Sequence, residues 1–145
     1  MEILNKKARF DYFVEEEIEA GIELTGTEIK SIRDGKCNIK DCYGIVRNGE
    51  VFLLNMYIAQ YKEGNIFNHN ETRSRKLLLH KKEIKKINDY ITLNGLTLIP
   101  LKGYFKDNKF KILLGICRGK KNYDKRETIK QRDINREVKK NLKNY

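Results

Sequence analysis

Residues 43–56 read Tyr43-Gly44-Ile45-Val46-Arg47-Asn48-Gly49-Glu50-Val51-Phe52-Leu53-Leu54-Asn55-Met56, and this stretch decides the fold class. Two β-rich runs flank Asn48-Gly49, a dipeptide in which both residues tolerate positive φ. Such a pair between hydrophobic runs predicts a β-hairpin with a tight turn. Antiparallel sheet is therefore expected in this part of the chain.

Alternating patterns extend the predicted sheet towards the N-terminus. Apolar residues alternate with charged or polar ones in two places, at Phe10, Tyr12 and Val14 and again at Ile18, Ala20, Ile22 and Leu24. A period of two is typical of strands with one buried face.

Two helices interrupt the strands. The first is predicted by Thr25 with Glu28 three residues later, which is a capping-box spacing, and it should end at Gly35. The second is predicted by isoleucines at 84, 87 and 91, spaced for one helical face, and it should end near Gly95.

A second hairpin is predicted from Leu96–Phe105 and Phe110–Cys117, joined by residues 106–109. Pro100 cannot donate a ladder hydrogen bond, so it should lie at an edge or a bulge of its strand. Residues 61–74 are polar and rich in Gly and Asn, and they predict a long loop.

These elements favour a small antiparallel barrel. The oligonucleotide-binding (OB) type is the most familiar nucleic-acid scaffold among such barrels. An open α+β sheet is the structural alternative.

The charge balance points to a polyanionic partner. The chain has 145 residues, with 31 Lys and Arg against 20 Asp and Glu, for a net charge of +11. Nucleic acid is favoured over an anionic membrane, because no strongly amphipathic basic helix with an aromatic or Leu-rich face is visible. No apolar run approaches the roughly 20 residues of a membrane span, and no secretory signal is visible. Three cysteines in a chain of this size predict reduced thiols, so a cytoplasmic location is expected.

The basic charge is uneven and predicts two parts, 1–117 and 118–145. The first part has 20 basic and 16 acidic residues, and the second has 11 and 4. Residues 118–145 have too few apolar side chains to form a core, so this tail should fold only on binding. The alternative is a packed C-terminal helix built on Ile134, Val138 and Leu142.

Enzyme and metal signatures are weak. Residues 115–121 depart from the phosphate-loop spacing, and the cysteines lack a zinc-site pattern. The glutamates at 15, 16, 17 and 19 fit a solvated face better than a metal cluster. We expect no catalytic residue, metal or cofactor. An RNA-processing enzyme that uses His69 or His80 is an alternative. For His69 a solvated side chain is the simpler interpretation. For His80 a contact with RNA is as good an interpretation as a catalytic role.

Basic residues distributed over the predicted elements suit contacts with the phosphates of a folded RNA. They are Lys6, Lys7, Arg9, Lys30, Arg33, Lys36, Arg73, Arg75 and Lys76. Glu19 either accepts a hydrogen bond from a base edge or a 2′-hydroxyl, or orients a neighbouring arginine.

Five blocks of the chain, taken together, resemble one family. They are residues 5–9, 19–22, 24–31, 75–80 and, most distinctively, Gly119-Lys120-Lys121-Asn122-Tyr123-Asp124-Lys125-Arg126. In this order and spacing they resemble small protein B, the tmRNA-binding proteins of bacterial trans-translation. The resemblance covers nearly the whole chain.

The resemblance implies a mainly β fold: a closed antiparallel OB-type β-barrel with two or three short flanking helices. It also implies a basic tail that is disordered when free and helical when bound. It implies a monomer that is not an enzyme and that binds the tRNA-like domain of tmRNA. The family delivers that RNA, with elongation factor Tu, to the A site of stalled ribosomes. The tail enters the empty mRNA channel and the small-subunit decoding centre.

The resemblance also implies roles for individual residues. Glu19, Leu78 and His80 match RNA-contact positions, with His80 standing where some members have Asn. Asp124, Lys125 and Arg126 match a tail motif that acts after RNA binding, and Tyr123 matches a ring that stacks on a decoding-centre base. A general single-strand RNA-binding OB-fold protein is the alternative function.

Overall fold

The computed structural model describes residues 2–61 and 68–120. Nine strands and three helices occur in this part of the chain. The strands are β1 (Glu2–Leu4), β2 (Tyr12–Ile22), β3 (Cys37–Asn38), β4 (Tyr43–Arg47), β5 (Glu50–Leu54), β6 (Tyr57–Ile58), β7 (Arg75–Leu78), β8 (Thr97–Lys106) and β9 (Lys109–Gly119). The helices are α1 (Ala8–Asp11), α2 (Gly26–Arg33) and α3 (Lys81–Asn94). The expected mainly β fold is confirmed, with three helices. No helix within the described ranges is long and apolar enough to cross a membrane.

Seven strands form one antiparallel sheet in the order β1-β8-β4-β5-β7-β2-β9. Strand β8 also pairs with β9, so β8 has three partners: β1, β4 and β9. The long strands β2 and β9 pair along most of their length, from Tyr12 opposite Gly119 to Gly21 opposite Lys111. The short strands β3 and β6 form a separate pair.

Both predicted hairpins are present. Asn48 and Gly49 connect β4 to β5 with φ values of 52° and 75°, the positive values that the dipeptide was expected to adopt. Asp107 and Asn108 connect β8 to β9 with φ values of 52° and 64°. Pro100 lies where the β8–β9 register shifts, which confirms its predicted position at a bulge.

Local signals set the ends of α2 and α3. The Thr25 side chain accepts from the Glu28 N–H, and the Glu28 side chain accepts from the Thr25 N–H, so the capping box is complete. Gly35 follows α2 with φ 75°, and Gly95 ends α3 with φ 64°.

The hydrophobic core lies between the sheet and the two longer helices. Its members include fully buried side chains from β5, β7 and β9, such as Leu53, Leu77 and Leu114, together with Ile32 of α2 and Ile87 of α3. Every second residue of β9 from Phe110 to Ile116 is apolar and buried, as the period-two pattern requires.

Two expectations need correction. Phe10 lies in α1 with 78% of its surface exposed, because the chain turns at residues 8–11 before β2 begins at Tyr12. Strand β9 continues two residues beyond the strand end predicted at Cys117, since Arg118 and Gly119 pair with Phe13 and Tyr12. The remainder of the predicted tail, 121–145, lies outside the described residues.

Candidate nucleic-acid interface

A buried ion cluster connects α2 to β7. The side chains of Glu28 and Arg75 are both fully buried, and Arg75 Nε donates to Glu28 Oε2 at 2.7 Å. Arg73 donates to both carboxylate oxygens, at 3.0 and 2.7 Å. Burial by itself raises the pKa of Glu28, but hydrogen bonds from Arg73, Thr25 and Arg75 outweigh it and hold that pKa below 4.5.

Arg75 was expected to contact RNA, and the structure corrects this expectation. Its guanidinium also donates to the backbone carbonyls of Met56, Arg73, Asn70 and Glu71. A buried guanidinium with its donors occupied in this way cannot also reach a phosphate. Arg75 instead fixes the course of the chain around β7.

The other predicted cations are spread over the surface. Arg9 pairs with Glu17 and Lys76 with Glu50, while Lys30 lies over the Tyr61 ring and Arg33 over the Phe105 ring. Exposed ion pairs of this kind contribute little to stability, so their cations can exchange partners for phosphates. Lys6, Lys7 and Lys36 are exposed.

Two of the predicted RNA contacts lie on one outer face of the sheet. Leu78 of β7 is opposite Gly21 of β2, Gly21 is opposite Lys111 of β9, and Lys111 is opposite Tyr104 of β8. These four residues form a row across four adjacent strands, which we call the outer row. Glu19 lies on the same face of β2, two residues before Gly21.

Gly21 leaves space in the middle of the outer row, because it has no side chain. A Cβ atom at Gly21 would lie 3.4 Å from Leu78 Cβ and 3.7 Å from Lys111 Nζ. Leu78 is 48% exposed, whereas its neighbour Leu77 on the same strand is fully buried. An apolar side chain beside a cation on an open face suits contact with a nucleotide.

Glu19 is held by two residues of β8. Tyr104 donates its hydroxyl to Glu19 Oε2 at 2.5 Å, and Lys106 Nζ donates to Oε1 at 3.4 Å. The Tyr104 hydrogen bond is the main cause of a lowered Glu19 pKa, assisted by Lys106 and Lys111. The pKa of Tyr104 is raised to about 12, first by desolvation and then by Glu19. This carboxylate is therefore ionised at neutral pH and fixed in direction.

An open groove of about 750 Å³ runs along this face and brings Glu19, Leu78 and His80 together. Two lysines that the sequence analysis did not select, Lys86 and Lys111, also line it. Lys86 pairs with Glu16 of β2. The pairing of β9 with β2 brings Lys111 to the groove, and the contact of α3 with β2 brings Lys86, so spacing along the chain gave no signal for the two lysines.

His69 is not a solvated side chain, so the simpler sequence interpretation was wrong. It is 6% exposed, its Nε2 donates to the Ile58 carbonyl at 2.9 Å, and its Nδ1 shares a 2.9 Å hydrogen bond with the Thr27 hydroxyl. A carbonyl can only accept, so Nε2 carries a proton. These contacts connect β6 to α2.

The acidic residues and cysteines have ordinary structural environments. Glu15, Glu16 and Glu17 pair with Arg118, Lys86 and Arg9 respectively. No group of His, Cys, Asp and Glu in residues 2–61 and 68–120 is arranged to hold a metal ion. The three cysteines are free thiols, and burial raises their pKa values to about 11 or 12.

Two of the tail residues predicted to act in the decoding centre are described. Gly119 pairs with Tyr12, while Lys120 Nζ donates to the Arg9 carbonyl at 3.0 Å and lies 5.0 Å from the Phe13 ring centre. The side chain of Lys120, which follows β9, thereby contacts α1 and the start of β2. Lys121, Tyr123, Asp124, Lys125 and Arg126 lie outside the described residues.

Comparisons with known proteins show which family this chain resembles. The family model described as SmpB protein matches residues 2–144. An SsrA-binding protein of Acetivibrio thermocellus is 58% identical over 139 residues, covering 96% of this chain and 90% of that protein. An SsrA-binding protein of Ligilactobacillus salivarius is 56% identical, covering 97% and 91%.

A solved structure extends the similarity to the fold. It is described by the words "tmRNA-SmpB: a journey to the center of the bacterial ribosome", and the matched chain is 42% identical to this one. The match has a TM-score of 0.69 and covers 88% of this chain and 94% of that chain. On the family match and these relatives, the chain belongs to the SmpB protein family.

Proposed function

We propose that this chain binds the tRNA-like domain of tmRNA and delivers it to the A site of stalled ribosomes in trans-translation. The observation that carries the proposal is the family match over residues 2–144, with relatives named SsrA-binding proteins. The similar solved structure, described as tmRNA-SmpB in the bacterial ribosome, supports the ribosome as the second partner. Elongation factor Tu is a further partner, as part of the same delivery complex. The protein acts in the cytoplasm as a monomer and has no catalytic activity of its own.

The scaffold for this function is a closed OB-type barrel. The pairing of β8 with both β4 and β9 supports closure, because it connects the last strand of the order back to the second and completes the ring β8-β4-β5-β7-β2-β9. Residues 1–117 supply this RNA-binding barrel and 118–145 supply the tail, whose first two residues, Arg118 and Gly119, continue β9. The tail residues Tyr123 to Arg126 act in the decoding centre and the mRNA channel.

RNA binding is assigned to the face with the outer row. Glu19, Leu78 and His80 line one groove there with Lys86 and Lys111, and the other charged residues of its lining are Glu16, Glu17 and Glu83. A hydrogen-bond acceptor, an exposed apolar side chain and cations are the groups that a structured RNA surface requires. The predicted cations on other elements, such as Lys6 and Arg33, widen the electrostatic contact.

The test is a salt-titrated binding assay of the full chain with the tRNA-like domain of tmRNA, using an unstructured RNA as competitor. Leu78→Ala should weaken binding about tenfold, as expected for the loss of an apolar contact of leucine size. Leu93→Ala is the matched control, since Leu93 of α3 is 69% exposed and lies outside the groove. Equal affinity for both RNAs would favour the alternative, a general single-strand RNA-binding protein.

The tail is tested separately in the full chain. Replacing Asp124, Lys125 and Arg126 together by alanine should leave affinity for the tRNA-like domain nearly unchanged and abolish peptide tagging on stalled ribosomes. A loss of RNA affinity as large as that of a Glu19 and Leu78 double variant would refute the division of labour.

A further inference from the structure

Tyr104 reaches Glu19 from two strands away. Glu19 is on β2 and Tyr104 on β8, with β9 between them, and Lys111 of β9 is the residue opposite Tyr104. The tyrosine side chain crosses β9 on the outer face and donates to Glu19 Oε2 at 2.5 Å. Lys102 Nζ lies 5.6 Å from the centre of the same ring. Tyr104 is partly exposed and is not one of the core residues, so its ring lies on the surface of the sheet.

The contact leaves part of the carboxylate available. One hydrogen bond from Tyr104 reaches Oε2 and one from Lys106 reaches Oε1. An ionised carboxylate has about four lone-pair positions, so about two remain for outside donors. The Glu19 side chain is 36% exposed and lines the groove, so those positions are accessible.

A free glutamate would be a poor RNA ligand because phosphates repel it. Lys106 bonded to Oε1 and Lys111 on the neighbouring strand offset this repulsion. The Tyr104 hydrogen bond contributes most to the lowered Glu19 pKa, and it also removes rotational freedom from the side chain. The result is a preorganised acceptor whose direction is set from β8.

We infer that Tyr104 is a positioning residue, which orients the Glu19 carboxylate to accept a hydrogen bond from a base amine or a 2′-hydroxyl of structured RNA. This inference rests on the proposed RNA binding and deepens it. It assigns Glu19 the role of an acceptor for RNA rather than of an orienting partner for an arginine. Tyr104 carries no charge, so its effect is on the hydrogen bond that Glu19 accepts from the RNA and not on phosphate binding.

The experiment removes one oxygen atom. Tyr104→Phe in the full chain should weaken binding to the tRNA-like domain about tenfold, the loss expected for one charge-assisted hydrogen bond. The salt dependence of binding should keep its slope, because no phosphate contact is removed. Tyr43→Phe on β4 is the matched control for loss of a surface hydroxyl, and it should bind like the wild type.

A double-mutant cycle separates positioning from a direct contact. In a Glu19→Ala background, Tyr104→Phe should change affinity by less than about twofold, because the group it positions is absent. The pKa of the Glu19 carboxyl, followed by carbon NMR, should rise in Tyr104→Phe and stay unchanged in Tyr43→Phe. A purely structural role for Tyr104 would not produce this pattern.

The outcomes are distinguishable. Wild-type affinity in Tyr104→Phe, or the same loss with and without Glu19, would overturn the inference while leaving the proposed function in place. A wild-type chain that does not prefer the tRNA-like domain to the unstructured competitor would overturn the proposed function itself.

Discussion

Glu28→Gln should destabilise the fold far more than its position on a short helix suggests. The change keeps the size of the side chain and removes its charge. The fully buried guanidinium of Arg75 would then lose its ionic partner, and Arg73 would lose a carboxylate to which it makes two hydrogen bonds. Removing one member of a buried ion pair costs about 3–5 kcal/mol, because the other charge stays buried without compensation.

Two features of the structure keep this cost below the upper end of the range. Arg75 keeps its hydrogen bonds to four backbone carbonyls, which continue to stabilise the positive charge. Arg73 is one-third exposed, so water can replace part of what it loses. We therefore expect about 4 kcal/mol, in the middle of the range for buried pairs.

Chemical denaturation measures the effect. With an m-value of about 2 kcal/mol/M in urea, a loss of 4 kcal/mol lowers the unfolding midpoint by about 2 M. Glu83→Gln is the matched control, because Glu83 also accepts from the N–H of its helix N-cap residue, His80, at 2.9 Å. That pair is exposed, so the control should lose no more than about 1 kcal/mol.

The pH dependence gives a second readout. The folded-state pKa of Glu28 is below 4.5, so its contribution is present above pH 4.5 and disappears as the pH falls through the lowered value. Glu28→Gln has no such group, and the difference in stability between the two proteins should shrink in acid. Equal losses in Glu28→Gln and Glu83→Gln, or a difference independent of pH, would refute the role assigned to the buried cluster.

Three further perturbations test the packing. Gly44→Ala should lose about 1–3 kcal/mol of unfolding free energy through overpacking, since the added Cβ would lie 2.5 Å from the Cδ2 atom of buried Leu98; thermal unfolding checks this. Cys42 and Cys117 have pKa values of about 12, so they should react with a thiol reagent at pH 8 much more slowly in the folded protein than in urea. His69→Ala should cost about 1–3 kcal/mol in urea unfolding, because it leaves a buried carbonyl without its donor; a loss within error would contradict the assigned hydrogen bonds.

Much of the fold was predictable because its signals are local. Asn48-Gly49 specifies a turn through the φ values that these two residues tolerate, and Thr25 with Glu28 specifies the start of a helix through hydrogen bonds within one turn. Pro100 was placed at a bulge because it lacks an N–H. In each case the deciding groups are at most a few residues apart.

The site was only partly predictable for the same reason. Glu19 and Leu78 were identified through resemblance to a family, but nothing in their spacing placed Lys111 or Tyr104 beside them. Those contacts exist because β2 pairs with both β7 and β9 and because β9 pairs with β8. Strand register over such distances along the chain cannot be read from residue types alone.

The burial of two arginines separates what the sequence could predict from what only the tertiary structure decides. Arg73 and Arg75 are two residues apart and have the same chemistry, yet one is partly exposed and the other is fully buried on Glu28. By itself the sequence determined the turns, the helix ends, the mainly β character and the basic charge, all of which depend on local geometry or simple composition. Only the tertiary structure decided which cations remain available to RNA, because burial depends on partners that come from distant parts of the chain.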